Sequence, residues 1–207
     1  ARQVDRIVTF SQYDTIFGRP TIRISNGIDF AHIPLKTNVN DTSNTVHLLG
    51  VADIHFWHGF DRVVAGLADY YRRPHEKEVI FHIVGGGSRF TVPELREQVR
   101  EQGMEERVVL HGPLWGEALD RAFEEADLGI ASLGRHRNGI THIKTLKNRE
   151  YAARGIPFVY SENDSDFDAM PYVLKAPADE SPIDIDALLH FLDGVDRDPA
   201  HIRASIE

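Results

Sequence analysis

The chain has no cysteine, which excludes disulfides, thiolate nucleophiles and cysteine-bound zinc or iron–sulfur centres. It also lacks any apolar run near the roughly 20 residues that cross a bilayer. The polar opening Ala1-Arg2-Gln3-Val4-Asp5-Arg6 is not a signal peptide. Positive charge is scarce: 23 Lys and Arg face 32 Asp and Glu, a formal net charge of −9. Nucleic acids and anionic membranes draw their affinity from cationic surface, so neither is an expected partner. Any anionic ligand therefore needs a local cationic pocket. The remaining composition, 42% hydrophobic and 27% charged, is that of a chain able to bury a core.

Runs rich in Val, Ile and Leu recur at 46–51, 79–84, 108–110, 128–131 and 157–160, with a weaker one at 172–174. Helical periodicity separates them at 60–71, 93–102, 116–125 and 143–153. Strands without polar alternation are buried on both faces, and their alternation with helices marks a parallel sheet built from βαβ units. The fold class expected is α/β, a Rossmann-like doubly wound parallel sheet over 46–207. Pro93 and Glu94 suit a helix first turn, and Gly103 and Gly155 stand where C-terminal caps belong. A further helix is expected at 184–193, with a second helical start after Asp198-Pro199. Residues 1–45 stand apart, with short strands at 6–10 and 21–24 and a polar loop at 36–45. They read as a linker arriving from an upstream domain, and both ends of the chain read as cut.

Ligands of open parallel sheets bind beyond the carboxyl ends of the strands, and four loops there carry unusual residues. Gly85-Gly86-Gly87-Ser88 follows a strong strand. It suits either close approach of a phosphate or base, or a tight turn with no ligand. It is not a dinucleotide fingerprint, because no third glycine follows at the required spacing. The segment 128–149 has no Asp or Glu, yet holds Arg135, Arg137, Lys144, Lys147 and Arg149, with His136, His142, Gly134 and Gly139. Cations and glycine amides before a helix N-terminus are what a diphosphate needs. Glu150, next in line, is either a ribose-binding carboxylate or half of an i,i+4 pair with Arg154. In the loop 111–115, Trp115 either lines a base pocket or packs against the next helix, and packing is the expectation. Around 50–62, His55 and His58 lack a third ligand, so no metal site is assigned. Asp164, Asp166 and Asp168 resemble a calcium loop, but Ala169 stands where such a loop needs glycine. They are expected to form a solvated acidic loop.

In order and spacing these fragments resemble the C-terminal half of GT-B glycosyltransferases of family 4 (glycosyl transferases group 1), of a divergent bacterial polysaccharide-biosynthesis type. Ile24-Ser25-Asn26-Gly27-Ile28-Asp29 is similar to the segment that enters this half, and residues 6–11 are similar to the last strand of the N-terminal domain. Val84-Gly85-Gly86-Gly87 is similar to the glycine turn, and residues 108–112 to the following strand. Glu150-Tyr151-Ala152-Ala153-Arg154-Gly155-Ile156-Pro157 is similar to the family's E-A-x-A-x-G-x-P stretch. The resemblance implies that Gly85, Gly86, Gly87, His111, Arg135, Arg137, Gly139, His142, Lys144, Lys147 and Glu150 line a donor site, with His58 a further candidate. It implies that Glu150 binds the nucleotide ribose and that residues 1–45 are a remnant of the N-terminal domain. Three positions depart from the pattern: His142 replaces a glutamate, and Asp53 and His58 replace the Arg and Lys that clasp the diphosphate. Lys144 and Lys147 are then expected to supply the missing charge.

The activity implied is transfer of a sugar, with retention, from a nucleoside-diphosphate sugar to a saccharide or lipid-linked acceptor in surface polysaccharide synthesis. It involves no cofactor and no essential metal. The acceptor would bind the other domain, so this half alone would bind donor without turnover. The implied location is the cytoplasm, including the inner face of the cell membrane. A GT-B nucleotide-sugar epimerase and a non-catalytic nucleotide-binding module are the alternatives.

Overall fold

Three short strands come first: β1 (Ile7–Thr9), β2 (Thr15–Ile16) and β3 (Arg19–Arg23). They form a small sheet of order β1-β3-β2, with β1 parallel and β2 antiparallel to β3. The structure is a computed structural model and describes residues 3–11 and 13–207. After β3 the chain runs without regular structure along the larger domain and is tied to it at several points. Lys36 donates its amide to Arg154 O (2.9 Å), and the Thr37 amide donates to the Glu124 carboxylate (3.0 Å). Arg203 donates to the carbonyls of Phe30 and Ile33.

The larger domain alternates as the apolar runs predict. In chain order it comprises β4 (Thr45–Val51), α1 (Phe60–Tyr71), β5 (Glu78–Val84), α2 (Thr91–Glu101), β6 (Val108–Gly112) and α3 (Glu117–Glu125). There follow β7 (Leu128–Ile130), α4 (Leu146–Arg154), β8 (Phe158–Tyr160), β9 (Val173–Lys175), α5 (Ile185–Gly194) and α6 (Pro199–Ala204). Six strands, all parallel, make one sheet of order β6-β5-β4-β7-β8-β9. Counted from β4 this is 3-2-1-4-5-6, the doubly wound order that reverses direction between its first and fourth strands. The reversal lies between β4 and β7.

The alternation of side chains along each strand splits the core in two. Val46, Leu48, Phe81 and Ile83 pack with α1, α2 and α5, whereas Leu49, Val84, Phe158 and Tyr160 pack with α3, α4 and α6. Most helix boundaries follow local chemistry. Pro93 lies in the first turn of α2, where its missing N–H is not needed. Gly103 and Gly155 end helices with φ of 68° and 77°. Asp184 and Asp198 cap α5 and α6 by accepting from the amides of Ala187 and Ala200. The exception is α4, expected from residue 143 but beginning at Leu146. Residues 141–143 are held extended beside the end of β8, with Ile143 N donating to Asn163 O (3.0 Å) and Asn163 N to Thr141 O (2.8 Å). Thr145 then caps the helix, its hydroxyl accepting from Asn148 N at 3.2 Å.

At the reversal β4 and β7 pair only at Leu48–Leu128 and Leu49–Gly129, and one side chain fills the divergence beyond. The Tyr151 hydroxyl, from α4, lies 2.8 Å from Leu49 O and 3.1 Å from Ile130 O, and accepts from Val51 N at 3.3 Å. Its ring lies so close to Gly129 that a Cβ there would be 2.6 Å away. Removing the hydroxyl leaves buried backbone groups of both strands without a partner, at a cost of about 1–3 kcal/mol. Tyr151→Phe is therefore expected to lower the stability measured by urea unfolding by about that amount, with secondary structure retained by circular dichroism.

Candidate functional site at the reversal of strand order

Two loops leave the sheet on either side of the reversal and are clamped together. The loop after β4 forms a 3₁₀ turn at Phe56–His58, and the loop after β7 forms another at Arg135–Asn138. Leu133 N donates to His58 O (2.9 Å) and Gly134 N to Trp57 O (3.2 Å). Glycine is required for this approach: a Cβ on Gly59, whose φ is 66°, would lie 2.7 Å from the Leu133 carbonyl carbon, and one on Gly134 would lie 2.9 Å from Phe56 O. Buried Arg62 holds the clamp from below, donating to the carbonyls of Leu133 and Ser181. The clamp brings His58 beside Arg135, and α4 brings Lys147 beside both.

The five cations of the basic segment divide into two groups. Arg137 bonds both oxygens of Asp61 (2.8 and 2.5 Å), Glu180 and the carbonyl of Phe56, and these two carboxylates raise its pKa. Lys144 pairs with Asp166, and its carbonyl accepts from the Asn26 amide. Arg149 pairs with Asp164 and Asp166 and donates to Asn26 O, Ser25 Oγ and Thr145 O. Lys147 and Arg135, among the described residues, pair with no carboxylate. The Lys147 ammonium and Arg135 Nε are buried without a hydrogen-bond partner. Lys147 lies 5.4 Å from the Phe60 ring centroid, and the Arg135 guanidinium 5.6 Å from that of Trp57. Burial pushes Lys147 down to about 7, against the pull of Glu162. His58, 7% exposed, is held down to about 2, first by burial and then by Lys147 and Arg135. It is a neutral ring whose Nδ1 accepts from His55 N at 3.0 Å.

Asp164, Asp166 and Asp168 are not the solvated acidic loop expected. Asp164 is fully buried and accepts from Asn148 (3.1 Å), Asp166 binds Lys144 and Arg149, and Asp168 accepts from Tyr160 (2.6 Å) and Lys175 (2.9 Å). Asp164 and Asp166 are internal counter-charges of the basic segment, whereas Asp168 is exposed and pairs with Lys175 of β9, outside that segment. Trp115 does not pack: it is 76% exposed on the turn into α3.

Gly85, at φ 133°, passes Ala52 O so closely that a Cβ would lie 1.7 Å from it, and a Cβ on Gly87 would lie 2.8 Å from Ile54 O. Packing against the continuation of β4 is thus sufficient reason for both glycines. Gly86 has room for a side chain, since a Cβ there would meet only Pro113, at 3.6 Å. Gly139 ends the second 3₁₀ turn at φ 72°. His142 Nδ1 meets the Thr141 hydroxyl at 2.9 Å beside Asn163. Glu150 and Arg154 form the i,i+4 pair at 3.2 Å, and Arg154 also binds Asp120 at 2.8 Å. His111 turns along the sheet face in a chain of imidazoles, 2.9 Å from His82, which is 3.0 Å from His47. These three rings are apart from the clamp.

Sequence reading missed Glu162, at the carboxyl end of β8. It is 2% exposed, and neither carboxylate oxygen has a hydrogen-bond partner. Burial raises it to about 7 against the pull of its own nearby backbone N–H and of Arg135, Lys147 and Lys175. Its place two residues beyond a buried strand run, at the ligand-binding edge of the sheet, was the available signal. Taken together, the site offers buried cationic donors, one buried acceptor and a helix N-terminus, an arrangement suited to an anion flanked by polar groups.

The fold has known counterparts. HepE of Anabaena, solved with UDP and glucose, superposes with a TM-score of 0.65 at 17% identity, over 91% of this chain and 52% of its own. TarM of S. aureus, in complex with fondaparinux, α-GlcNAc-glycerol and UDP, gives 0.68 at 16% identity, over 100% of this chain and 41% of its own. The C-terminal domain of LpcC, a group 1 family glycosyl transferase of Francisella tularensis, gives 0.53 at 14% identity, over 87% of this chain and 92% of its own. The fold is the C-terminal half of GT-B. The chain spans about half the length of HepE and nearly the whole of the isolated LpcC domain. No protein-family model matches the sequence, and no curated protein matches it.

Two outcomes test the assignment of charges. Arg149→Met strands the buried Asp164 and is expected to cost about 3–5 kcal/mol of stability, the penalty for breaking a buried pair. The second concerns His82, which burial, with His47 and His111, lowers to about 4. A histidine with a depressed folded pKa loses stability as pH falls from its ordinary value of 6.5 towards that folded value. Wild type is therefore expected to lose stability relative to His82→Gln between pH 6.5 and about 4 in parallel thermal melts.

Proposed function

We propose that the chain is the nucleotide-sugar-binding half of a glycosyltransferase, and that Lys147 and Arg135 hold the donor diphosphate at the reversal of strand order. The observation that carries this reading is that the Lys147 ammonium and Arg135 Nε, on half-buried side chains, are buried without a partner where doubly wound sheets bind ligands. The fold neighbours support it: HepE and TarM were solved with UDP.

In this reading the diphosphate approaches the N-terminus of α4, whose partial positive charge adds to the two side chains. As the glycosidic bond breaks, negative charge builds on the departing diphosphate. Donors fixed beforehand in a water-poor site stabilise that charge without reorganising. Lys147 and Arg135 therefore perform the task that the resemblance gives to the positions of Asp53 and His58, and a metal ion is not required for it. Lys144, Arg137 and Arg149 keep the surrounding loops in shape. Glu150 accepts the ribose hydroxyls from α4, with Arg154 fixing its rotamer. The transfer proceeds with retention to a saccharide or lipid-linked acceptor of a surface polysaccharide, bound on a partner domain of which residues 1–45 supply a part.

The reading is tested by calorimetric titration with UDP, GDP, ADP and their glucose conjugates. One nucleotide is expected to bind saturably. Lys147→Met should then weaken it more than about tenfold, the loss of one charged hydrogen bond of roughly 1.5–3 kcal/mol. Lys144→Met should leave it within about twofold, because that ammonium serves Asp166. Equal losses in both variants, or no binding in the wild type, would refute the assignment.

A further inference from the structure

Glu162 faces cations from three elements. Lys147 comes from the first turn of α4, Arg135 from the 3₁₀ turn after β7, and Lys175 from β9, its ammonium bound to the Glu162 backbone carbonyl. Tyr160 lies beside it on β8, and neutral His58 faces Lys147 and Arg135 from the loop after β4. A buried carboxylate between cations ordinarily closes hydrogen bonds to them, because an unpaired buried ion costs several kcal/mol. Here it does not: both Glu162 oxygens, the Lys147 ammonium and Arg135 Nε are all buried and all without partners. Carboxylate and cations share a field without touching.

We propose that Glu162 is the resident counter-anion of this site, favouring the charged form of Lys147 and holding Lys147 and Arg135 in place, and that the Glu162–Lys147 pair gains a proton from solvent when a bound phosphate takes over those cations. The proposal rests on the phosphate-site reading above. It makes Glu162 a positioning residue, acting through Lys147 rather than on the reacting atoms. The proton comes from the buffer and goes to the carboxylate or the amine of the pair, and no covalent bond other than that O–H or N–H forms. The direction follows from electrostatics. A new negative charge raises the pKa of both members of the pair. Burial has already brought Glu162 up to about 7 and Lys147 down to about 7. The two titrate as a unit, so the pair gains a proton whichever member holds it.

The test is calorimetric titration at about pH 7.5 in buffers of different ionisation enthalpy, with two ligands that have no proton of their own to exchange near neutrality: UDP-glucose and sulfate. Wild type is expected to take up between about half and one proton per ligand bound, and uptake should fall away at about pH 5.5, where Glu162 is already protonated. In the Lys147→Arg, Glu162→Gln double variant the cation is fixed and the carboxylate gone, so binding should proceed without uptake. Binding without uptake in the wild type, uptake persisting undiminished at the lower pH, or equal uptake in the double variant would overturn the proposal. The wild-type arms decide it even if the double variant does not fold. Sulfate binding with uptake, in the absence of any nucleotide-sugar binding, would support the counter-anion while sinking the donor-site reading. Failure of both ligands to bind would sink both.

Discussion

The hydroxyl of Tyr151 sits where β4 and β7 part, and the rest of the site depends on that contact. It links carbonyls near the ends of two diverging strands to α4, fixing the helix against the reversal of strand order. Lys147 lies one turn earlier on the same helix, so the contact that closes the sheet also sets where its ammonium emerges. The glycine-mediated clamp between the loops after β4 and β7 supplies the second constraint, placing Arg135 and His58 opposite. Stability and binding geometry therefore share one origin. Most of the clamp is backbone, which explains why residues 59 and 134 must be glycine while their neighbours are free to carry function.

Charge is distributed with the same economy. A chain of net charge −9 can hold an anion only where its cations outnumber its nearby carboxylates. The acidic stretch after β8 and the carboxylates of Asp61 and Glu180 claim Arg137, Lys144 and Arg149, which become struts between loops. Two cations escape this pairing and face a single buried carboxylate. Low dielectric strengthens every interaction among them, so buried charged atoms without hydrogen-bond partners stand there at an electrostatic cost.

The sheet was legible in the sequence because buried parallel strands are runs of Val, Ile and Leu alternating with helices, whereas the order of the strands came from the structure. The start of α4 was not, because residues 141–143 have ordinary helical periodicity and are pulled straight by Asn163, far along the chain. The basic segment was legible as a patch for lack of any acid between 128 and 149. Which of its members are free was not, since their partners Asp61, Asp164, Asp166 and Glu180 lie elsewhere in the chain. The alternating aspartates read as solvated for the same reason: nothing local reveals that Arg149 and Asn148 bury Asp164. Trp115 was expected to pack because tryptophan usually does, whereas its turn projects it into solvent. Glu162 was hidden by size, a single acid after a short strand whose importance appears only when Lys147 and Arg135 stand beside it.

The central claim is that an anionic ligand binds between the clamped loops and the first turn of α4. Backbone amide shifts in a titration with the nucleoside-diphosphate sugar that binds best test it most directly. The largest changes are expected on residues 133–135, 146–148 and 161–163, around the reversal of strand order. Changes confined to other parts of the surface, with these amides unmoved at saturation, would contradict it.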